Sequence, residues 1–179
     1  MKTIKTIVLV IAAAILLSGC IAVDGYFKNM RNKVLSNVEG EFHKEIEFSV
    51  GAAAITLSSM AIHFSDAPEF TDDMLRKITR VQIGVYKNYD WSNFKPNMKS
   101  LKLLSDDLRD DGYEYIVRSI NRDEVVLVCV KNDEDKIREM FVVAASKDDL
   151  VMTQIFGNLN ELMEIAIREQ GLDVQVAAN

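Results

Sequence analysis

Residues 113–156 read YEYIVRSINRDEVVLVCVKNDEDKIREMFVVAASKDDLVMTQIF. Apolar and polar residues alternate through this stretch with a period of two, which is typical of half-buried β-strands. Short polar segments interrupt the alternation and divide it into strands over 113–120, 124–131, 137–145 and 150–156. Connections this short make consecutive strands antiparallel neighbours. The stretch therefore predicts a four-strand antiparallel meander.

Two more strands are predicted upstream of the meander. Residues 79–86 alternate cleanly, with Val81, Ile83 and Val85 pointing to one side, and residues 41–50 alternate less regularly. Either segment can form an unpaired edge of the sheet, where another chain can pair.

Helices are predicted where apolar residues recur at spacings of three and four. The clearest is opened by Pro96 and ended by Gly112. Its apolar stripe consists of Met98, Leu101, Leu104 and Leu108. Further helices are expected near 27–40, 51–64, 72–78 and 159–170. Together these elements predict an α+β fold, in which a largely antiparallel sheet is packed on one face by two or three amphipathic helices.

A secretory signal is predicted at the N-terminus. Lys2 and Lys5 precede an uncharged apolar segment, residues 7–17. A helix of that length extends about 16 Å, which is too short for a bilayer core of about 30 Å. The segment is therefore interpreted as a cleaved signal peptide rather than a permanent membrane anchor.

The signal ends in Leu17, Ser18, Gly19 and Cys20. These four residues resemble the lipobox of bacterial lipoproteins. The resemblance implies a diacylglycerol thioether on the Cys20 sulfur, cleavage before Cys20, and acylation of the new amine, for example with palmitate. Two or three acyl chains anchor a protein stably. The alternatives are an ordinary secretion signal with a chance cysteine, or a buried apolar helix.

The predicted organisation follows from this signal. Residues 1–19 are the signal peptide, 20–26 a lipidated tether, 27–171 a single α+β domain and 172–179 a flexible tail. Ile21, and not Asp, follows the cysteine. In enterobacteria a residue other than Asp directly after the lipobox cysteine implies transfer to the outer membrane. The expected location is therefore the cell envelope, on the periplasmic face of the outer membrane.

Composition limits the classes of partner. Removing Lys2 and Lys5 leaves 19 basic and 27 acidic residues, so the mature part has a net charge near −8. Nucleic acid is therefore not an expected partner. Cys129 is the only cysteine besides Cys20 and lies in an apolar run, which predicts a buried thiol and no disulfide framework.

The sequence carries no recognised motif for catalysis, a cofactor or a metal ion. His43 and His63 are the only histidines, and neither lies in a metal-ligand spacing, so no metal or cofactor is expected. Ser59 and His63 can share a helix face, but the sequence offers no third catalytic group. Four aspartates, at 106, 107, 110 and 111, lie close together at the end of a predicted helix. They are expected to form a solvated face or to surround a cation, because acids are unfavourable at a helix C-terminus.

The loop after residue 86 is the best candidate for a partner contact. It carries Tyr89, Trp91 and Phe94, including the only tryptophan of the chain. Aromatic side chains exposed on loops are enriched at recognition sites. The alternative is that Trp91 and Phe94 staple the following helix to the sheet.

Three segments resemble a family of bacterial lipoproteins known as domain of unknown function 4252. They are KITRVQIGVY at 77–86, the helix before Gly112, and LVMTQIFGN at 150–158. In that family a strand of the form I-x-x-V-x-(V/I)-x-V-Y precedes a helix and a β-meander, and a final strand leads into the last helix. The resemblance covers about 48–170. It implies the fold and an envelope location, and it implies no activity.

The expected function is therefore that of a lipid-anchored, non-catalytic binding or assembly module. Its partners would be the membrane, through the Cys20 lipid, and another envelope protein, whereas the oligomeric state is left open. One alternative is a carrier of a lipid or other apolar ligand, with residues 51–64 as a lid or wall. The other is an envelope hydrolase with an unrecognised site.

Overall fold

The computed structural model describes residues 22–55, 73, 75–89, 94, 97–122, 124–162 and 164. Within them the chain is α+β, as the sequence predicted, with a six-stranded antiparallel sheet and helices packed on one face. The strands are β1 (Phe42–Gly51), β2 (Ile78–Asn88), β3 (Glu114–Ile120), β4 (Glu124–Asp133), β5 (Lys136–Ser146) and β6 (Asp149–Gly157). The longer helices are α1 (Gly25–Asn37) and α2 (Met98–Asp110). Shorter helical stretches include 52–55, 75–77 and 159–162.

The strand order is β1-β2-β6-β5-β4-β3, and each neighbouring pair is antiparallel. The predicted meander is confirmed, because β3 to β6 pair in sequence order. β2 pairs with β6 on one side and with β1 on the other. β1 and β3 are therefore the two edges of the sheet. Of the two segments predicted as a free edge, 41–50 is one, whereas 79–86 lies inside the sheet.

Helix α2 differs from its prediction at its first turn. It begins at Met98, and the Asn97 side chain caps it by accepting a hydrogen bond from the Lys99 N–H at 2.8 Å, so Pro96 lies before the cap and does not open the helix. Met98 was predicted to belong to the buried stripe, but it is 52% exposed because the first turn of α2 is not covered. Ser105, which lies outside the predicted stripe, is buried.

The end of α2 at Gly112 is confirmed. Gly112 has a φ of 86°, and its N–H donates to the Arg109 carbonyl at 2.8 Å. The Tyr113 N–H donates to the Leu108 carbonyl at 3.0 Å. These two bonds form a Schellman motif, which a glycine in the left-handed region accommodates without strain.

The core lies between the two helices and one face of the sheet. The Phe27 ring of α1 meets the Phe141 ring of β5 edge-on, with centroids 6.5 Å apart. Cys129 is buried in this core, as predicted, and burial raises the pKa of its thiol to about 12. The core residues of the sheet include Tyr86, Leu127, Phe141, Val143, Leu150 and Met152. The opposite face carries Val81, Ile83 and Val85, which are only partly buried.

Packing begins earlier in the chain than the domain boundary predicted at residue 27. Val23 is buried in the core, and α1 starts at Gly25, so residues 23–26 belong to the packed layer rather than to the tether. The signal peptide, Cys20 and the C-terminal tail lie outside the described residues. So do residues 56–64 of the helix predicted at 51–64 and the end of the last helix. The helix predicted at 72–78 is helical at its described residues 73 and 75–77, and Ile78 already belongs to β2. No helix among the described residues is long and apolar enough to span a membrane.

Candidate functional site

A group of polar side chains, all buried except the half-buried Asp24, interrupts the apolar core where α1 begins. We call it the Asp24 cluster, and it consists of Asp24, Gln82, Tyr113, Glu139 and Gln154. Gln82 and Gln154 are fully buried on the face of the sheet that carries the helices. Buried amides and carboxylates are stable in a core only when they are hydrogen-bonded. Their partners therefore define what the cluster does.

One half of the Asp24 cluster holds the start of α1. The Asp24 carboxylate accepts a hydrogen bond from the Phe27 N–H at 2.8 Å, as an N-cap, and pairs with Arg80 at 3.0 Å. The Asp24 N–H donates to Gln82 Oε1 at 2.8 Å, and Gln82 Nε2 donates back to Asp24 Oδ2 at 3.1 Å. Backbone and side chain of Asp24 are thus both fixed to β2.

The other half of the cluster links three strands and the segment after α2. Gln82 Nε2 also donates to Gln154 Oε1 at 2.9 Å. Gln154 Nε2 and the Tyr113 hydroxyl both donate to Glu139 Oε1. Burial raises the pKa of Tyr113, and the bond to Glu139 raises it further, so the hydroxyl stays protonated and donates. Because these groups satisfy one another, the arrangement has the properties of a structural clamp rather than of an open catalytic site.

A second clamp fixes the middle of α1 to β1 and β2. Glu47 Oε1 accepts hydrogen bonds from Arg31 Nη1 at 2.8 Å and from the Tyr86 hydroxyl at 2.6 Å. The Tyr86 ring lies over Gly84, where a Cβ would come within 2.9 Å of two ring carbons. A glycine at this position therefore makes room for the ring.

The second clamp predicts a pH dependence of stability. Burial alone raises the pKa of Glu47, but hydrogen bonds from Tyr86 and Arg31 lower it more, so it lies below its ordinary value of 4.5. A folded-state pKa below the unfolded one stabilises the protein above the unfolded value, and the contribution is lost as the pH falls through the folded value. We expect Glu47→Gln to lower the free energy of unfolding by about 1–2 kcal/mol at pH 7, and by progressively less below pH 4.5.

Urea denaturation of both proteins between pH 7 and pH 3 measures this difference. Glu45→Gln, which changes an exposed side chain on the same strand, is the control and should have little effect at any pH. A difference between wild type and Glu47→Gln that stays constant down to pH 3 would contradict the prediction.

The acidic end of α2 connects the two helices. Asp111 pairs with Lys33 of α1 at 2.5 Å, and Asp107 accepts a hydrogen bond from Asn37 at 2.9 Å. Lys131 donates to the Asp111 carbonyl at 2.9 Å. Cationic and amide groups thus offset the unfavourable position of these acids at a helix C-terminus. Within the described ranges, no group of three or more histidine, cysteine or acidic side chains is arranged to hold a metal ion.

The predicted contact residues of the aromatic loop separate in the structure. Tyr89 is 76% exposed, with its ring 5.7 Å from that of His43. Phe94 is buried and meets the Phe42 ring edge-on at 6.1 Å, which corresponds to the alternative role of a staple. Trp91 lies outside the described residues. Only Tyr89 of this set is shown on the surface.

An open depression of about 590 Å³ lies where β6 ends. Arg76, Lys77 and Arg138 line it together with Asp133. Lys77 forms an ion pair with Glu161. The depression is open to solvent and mixed in charge.

The sequence model of DUF4252, a domain of unknown function, matches residues 47–165. The chain belongs to the DUF4252 family. The match covers about two thirds of the chain and confirms the resemblance found in the sequence. No curated protein shows significant similarity to the chain.

The two clamps join residues that lie before the DUF4252 match to residues within it. Gln82, Glu139 and Gln154 lie within the matched residues, whereas Asp24 and Arg31 of α1 precede them. The clamps therefore attach the N-terminal helix to the DUF4252 domain. Sequence patterns did not indicate the cluster, because its hydrogen bonds join residues 58 and 72 positions apart.

Proposed function

We propose that this DUF4252 protein is a lipid-anchored component of the bacterial cell envelope that acts as a non-catalytic binding or assembly module. The lipobox ending at Cys20 supports the anchor. Ile21 after the cysteine supports the periplasmic face of the outer membrane. The observation that carries the proposal is the position of Asp24, which is fixed to the sheet only four residues after Cys20.

The short connection restricts where the domain sits. Four residue intervals of extended chain span at most about 14 Å. The Asp24 cluster would therefore lie close to the lipid head groups, and the domain would be held against the membrane rather than extended on a long linker. A module held in this way presents its remaining surfaces to partners along the membrane.

Binding rather than catalysis is supported by how the polar groups are used. The side chains that converge in the Asp24 cluster and around Glu47 are hydrogen-bonded to one another. The surface, in contrast, offers large apolar side chains, among them Tyr89, Tyr115 and Ile116. Exposed aromatic and apolar residues are typical of contact surfaces.

Replacing Cys20 with serine tests the anchor. We expect Cys20→Ser to abolish the incorporation of labelled palmitate and to prevent processing to the mature mass, because serine has no thiol to accept the lipid. Cell fractionation, labelling and intact mass are the measurements. Cys129→Ser is the matched control, since that thiol is buried and should leave anchoring unchanged. A Cys20→Ser protein found in membranes at the mature mass with full labelling would contradict the proposal.

A second candidate function is the carriage of a lipid or other apolar ligand. It is supported by the face of the sheet opposite the helices, where Val81, Ile83 and Val85 are only partly buried. Native mass spectrometry of the protein extracted from membranes tests it. A bound lipid that survives extraction would favour the carrier, and a ligand-free protein would favour the binding module alone.

A further inference from the structure

The face of the sheet opposite α1 and α2 is apolar across β1, β2, β6, β5 and β4. The registers of these strands align its side chains in three rows that cross the sheet. The rows through Ile155 and Val151 contain only apolar residues. The middle row between them consists of Phe48, Ile83, Thr153, Val142 and Val128. Monomeric proteins rarely expose an apolar surface of this extent, so an occupant is expected on this face.

The first face of the sheet is already occupied where β6 ends. Arg80 lies over the Phe156 ring, 4.0 Å from its centroid, and pairs with Asp24, the N-cap of α1. Farther along the sheet, α1 and α2 cover the core. A helix that starts after β6 therefore has room to fold back along the sheet on the opposite face.

The last helix starts at the end of β6, between β5 and the residues that precede β2. Residues 159–162 form its first turn. The Asn160 Oδ1 atom accepts a hydrogen bond from the Ile137 N–H of β5 at 2.6 Å. On the other side, Glu161 forms an ion pair with Lys77, which precedes β2. These contacts orient the helix, because the side that carries Asn160 faces β5.

Leu159 shows which side of this helix is buried. It is only 1% exposed, yet it does not belong to the described core beneath α1 and α2. Glu164, in contrast, is exposed, and at 3.6 residues per turn Arg168 lies on the same side as Glu164. The side of Leu159 continues in the sequence as an apolar stripe, which consists of Leu162, Met163, Ala166 and Ile167.

We propose that residues 159–170 fold back along β6 and cover the opposite face of the sheet with this apolar stripe. Twelve residues of helix extend about 18 Å, and three rows of side chains along a strand span about 13 Å, so the segment is long enough. Ile167 lies on the same side of the helix as Asn160, which places it toward Val142 of β5. The contact closes the face that carriage of an apolar ligand would need, and it does not depend on the lipid anchor.

Thiol cross-linking of the full chain tests this contact. We expect a short bifunctional thiol reagent to bridge Val142→Cys and Ile167→Cys within one chain about fivefold or more than Val142→Cys and Arg168→Cys. Arg168 is the matched control, because it is the next residue along the chain and lies on the outer side of the predicted helix. Single-cysteine variants account for reaction with Cys20 and Cys129, and intact mass counts the bridges.

Two outcomes of the cross-linking would overturn the proposal. One is equal bridging of the two pairs, or none in either, because the stripe would then not face the sheet. The other is bridging at residue 167 that yields only dimers on denaturing gels, because a second copy of the chain would then be the occupant.

The accessibility of the face provides an independent test. Ile167→Lys places a charge in the apolar stripe and should raise the rate at which the thiol of Val142→Cys reacts with a soluble maleimide about threefold or more. Arg168→Gln is the control and should leave that rate unchanged. Cys129, in the core beneath α1 and α2, should remain unreactive in both variants, which excludes general unfolding. An unchanged rate in Ile167→Lys would reject the C-terminal segment as the cover, and a lipid bound in the native mass spectrum would then identify the occupant.

Discussion

Phe141→Ala is expected to lower the free energy of unfolding by about 3–5 kcal/mol. The ring is fully buried on β5 and contacts both Phe27 of α1 and Tyr113 after α2, with centroids 6.5 and 6.2 Å away. Removing the ring leaves a cavity between the sheet, α1 and the residue that follows α2. The cavity persists because the surrounding close-packed side chains relax only partly. Urea denaturation followed by circular dichroism measures the loss.

Met140→Ala is the control for this prediction. Met140 precedes Phe141 on the same strand, points to the opposite face and is only partly buried. We expect Met140→Ala to lower the free energy of unfolding by less than half as much as Phe141→Ala, because the smaller, partly buried side chain makes fewer contacts. Equal losses would contradict the view that the main core lies between the sheet and the two helices.

Gln154→Leu is expected to destabilise the protein by about 2–4 kcal/mol, although leucine is more apolar and of similar size. Gln154 accepts from Gln82 and donates to Glu139, so leucine deprives both of a hydrogen-bond partner in a buried environment. The loss of partners outweighs the gain from burying an apolar side chain, because unsatisfied buried polar groups are costly. Thermal and urea denaturation both report this change.

Thr153→Val provides the comparison for Gln154→Leu. It also replaces a polar residue of β6 with an apolar one, but on the partly buried opposite face. We expect a change within about 0.5 kcal/mol, as for other sites away from special contacts. If Gln154→Leu were as neutral as Thr153→Val, the hydrogen bonds that link Gln82, Gln154 and Glu139 would not stabilise the fold.

Local patterns were sufficient for the strands of the meander and for much of α2. Alternation with a period of two reflects a sheet with one covered face, and a stripe at three and four reflects a helix with one buried side. The places of β1 and β2 in the sheet were not accessible, because β2 pairs with β6 through contacts such as Gln82 with Gln154, 72 residues apart. For the same reason β3 could not be identified as an edge.

The sequence misled most clearly about the two sides of β2. Val81, Ile83 and Val85 form its apolar side, yet the deeper side in the structure carries Gln82 and Tyr86. Polar residues are tolerated there because Asp24 and Gln154 supply hydrogen bonds from distant parts of the chain. Periodicity measures polarity alone, so it cannot reveal a buried residue that is satisfied by remote partners.

The N-terminal peptide of the mature protein is the most direct test of the proposed anchor. Trypsin should release residues 20–28, ending at Lys28, from protein extracted from membranes. Mass spectrometry should find this peptide with a diacylglycerol on the Cys20 sulfur and an acyl chain on its amine. A peptide that begins at Thr6 and continues through an unmodified Cys20 would show that the chain is neither cleaved nor lipidated, and would contradict the account.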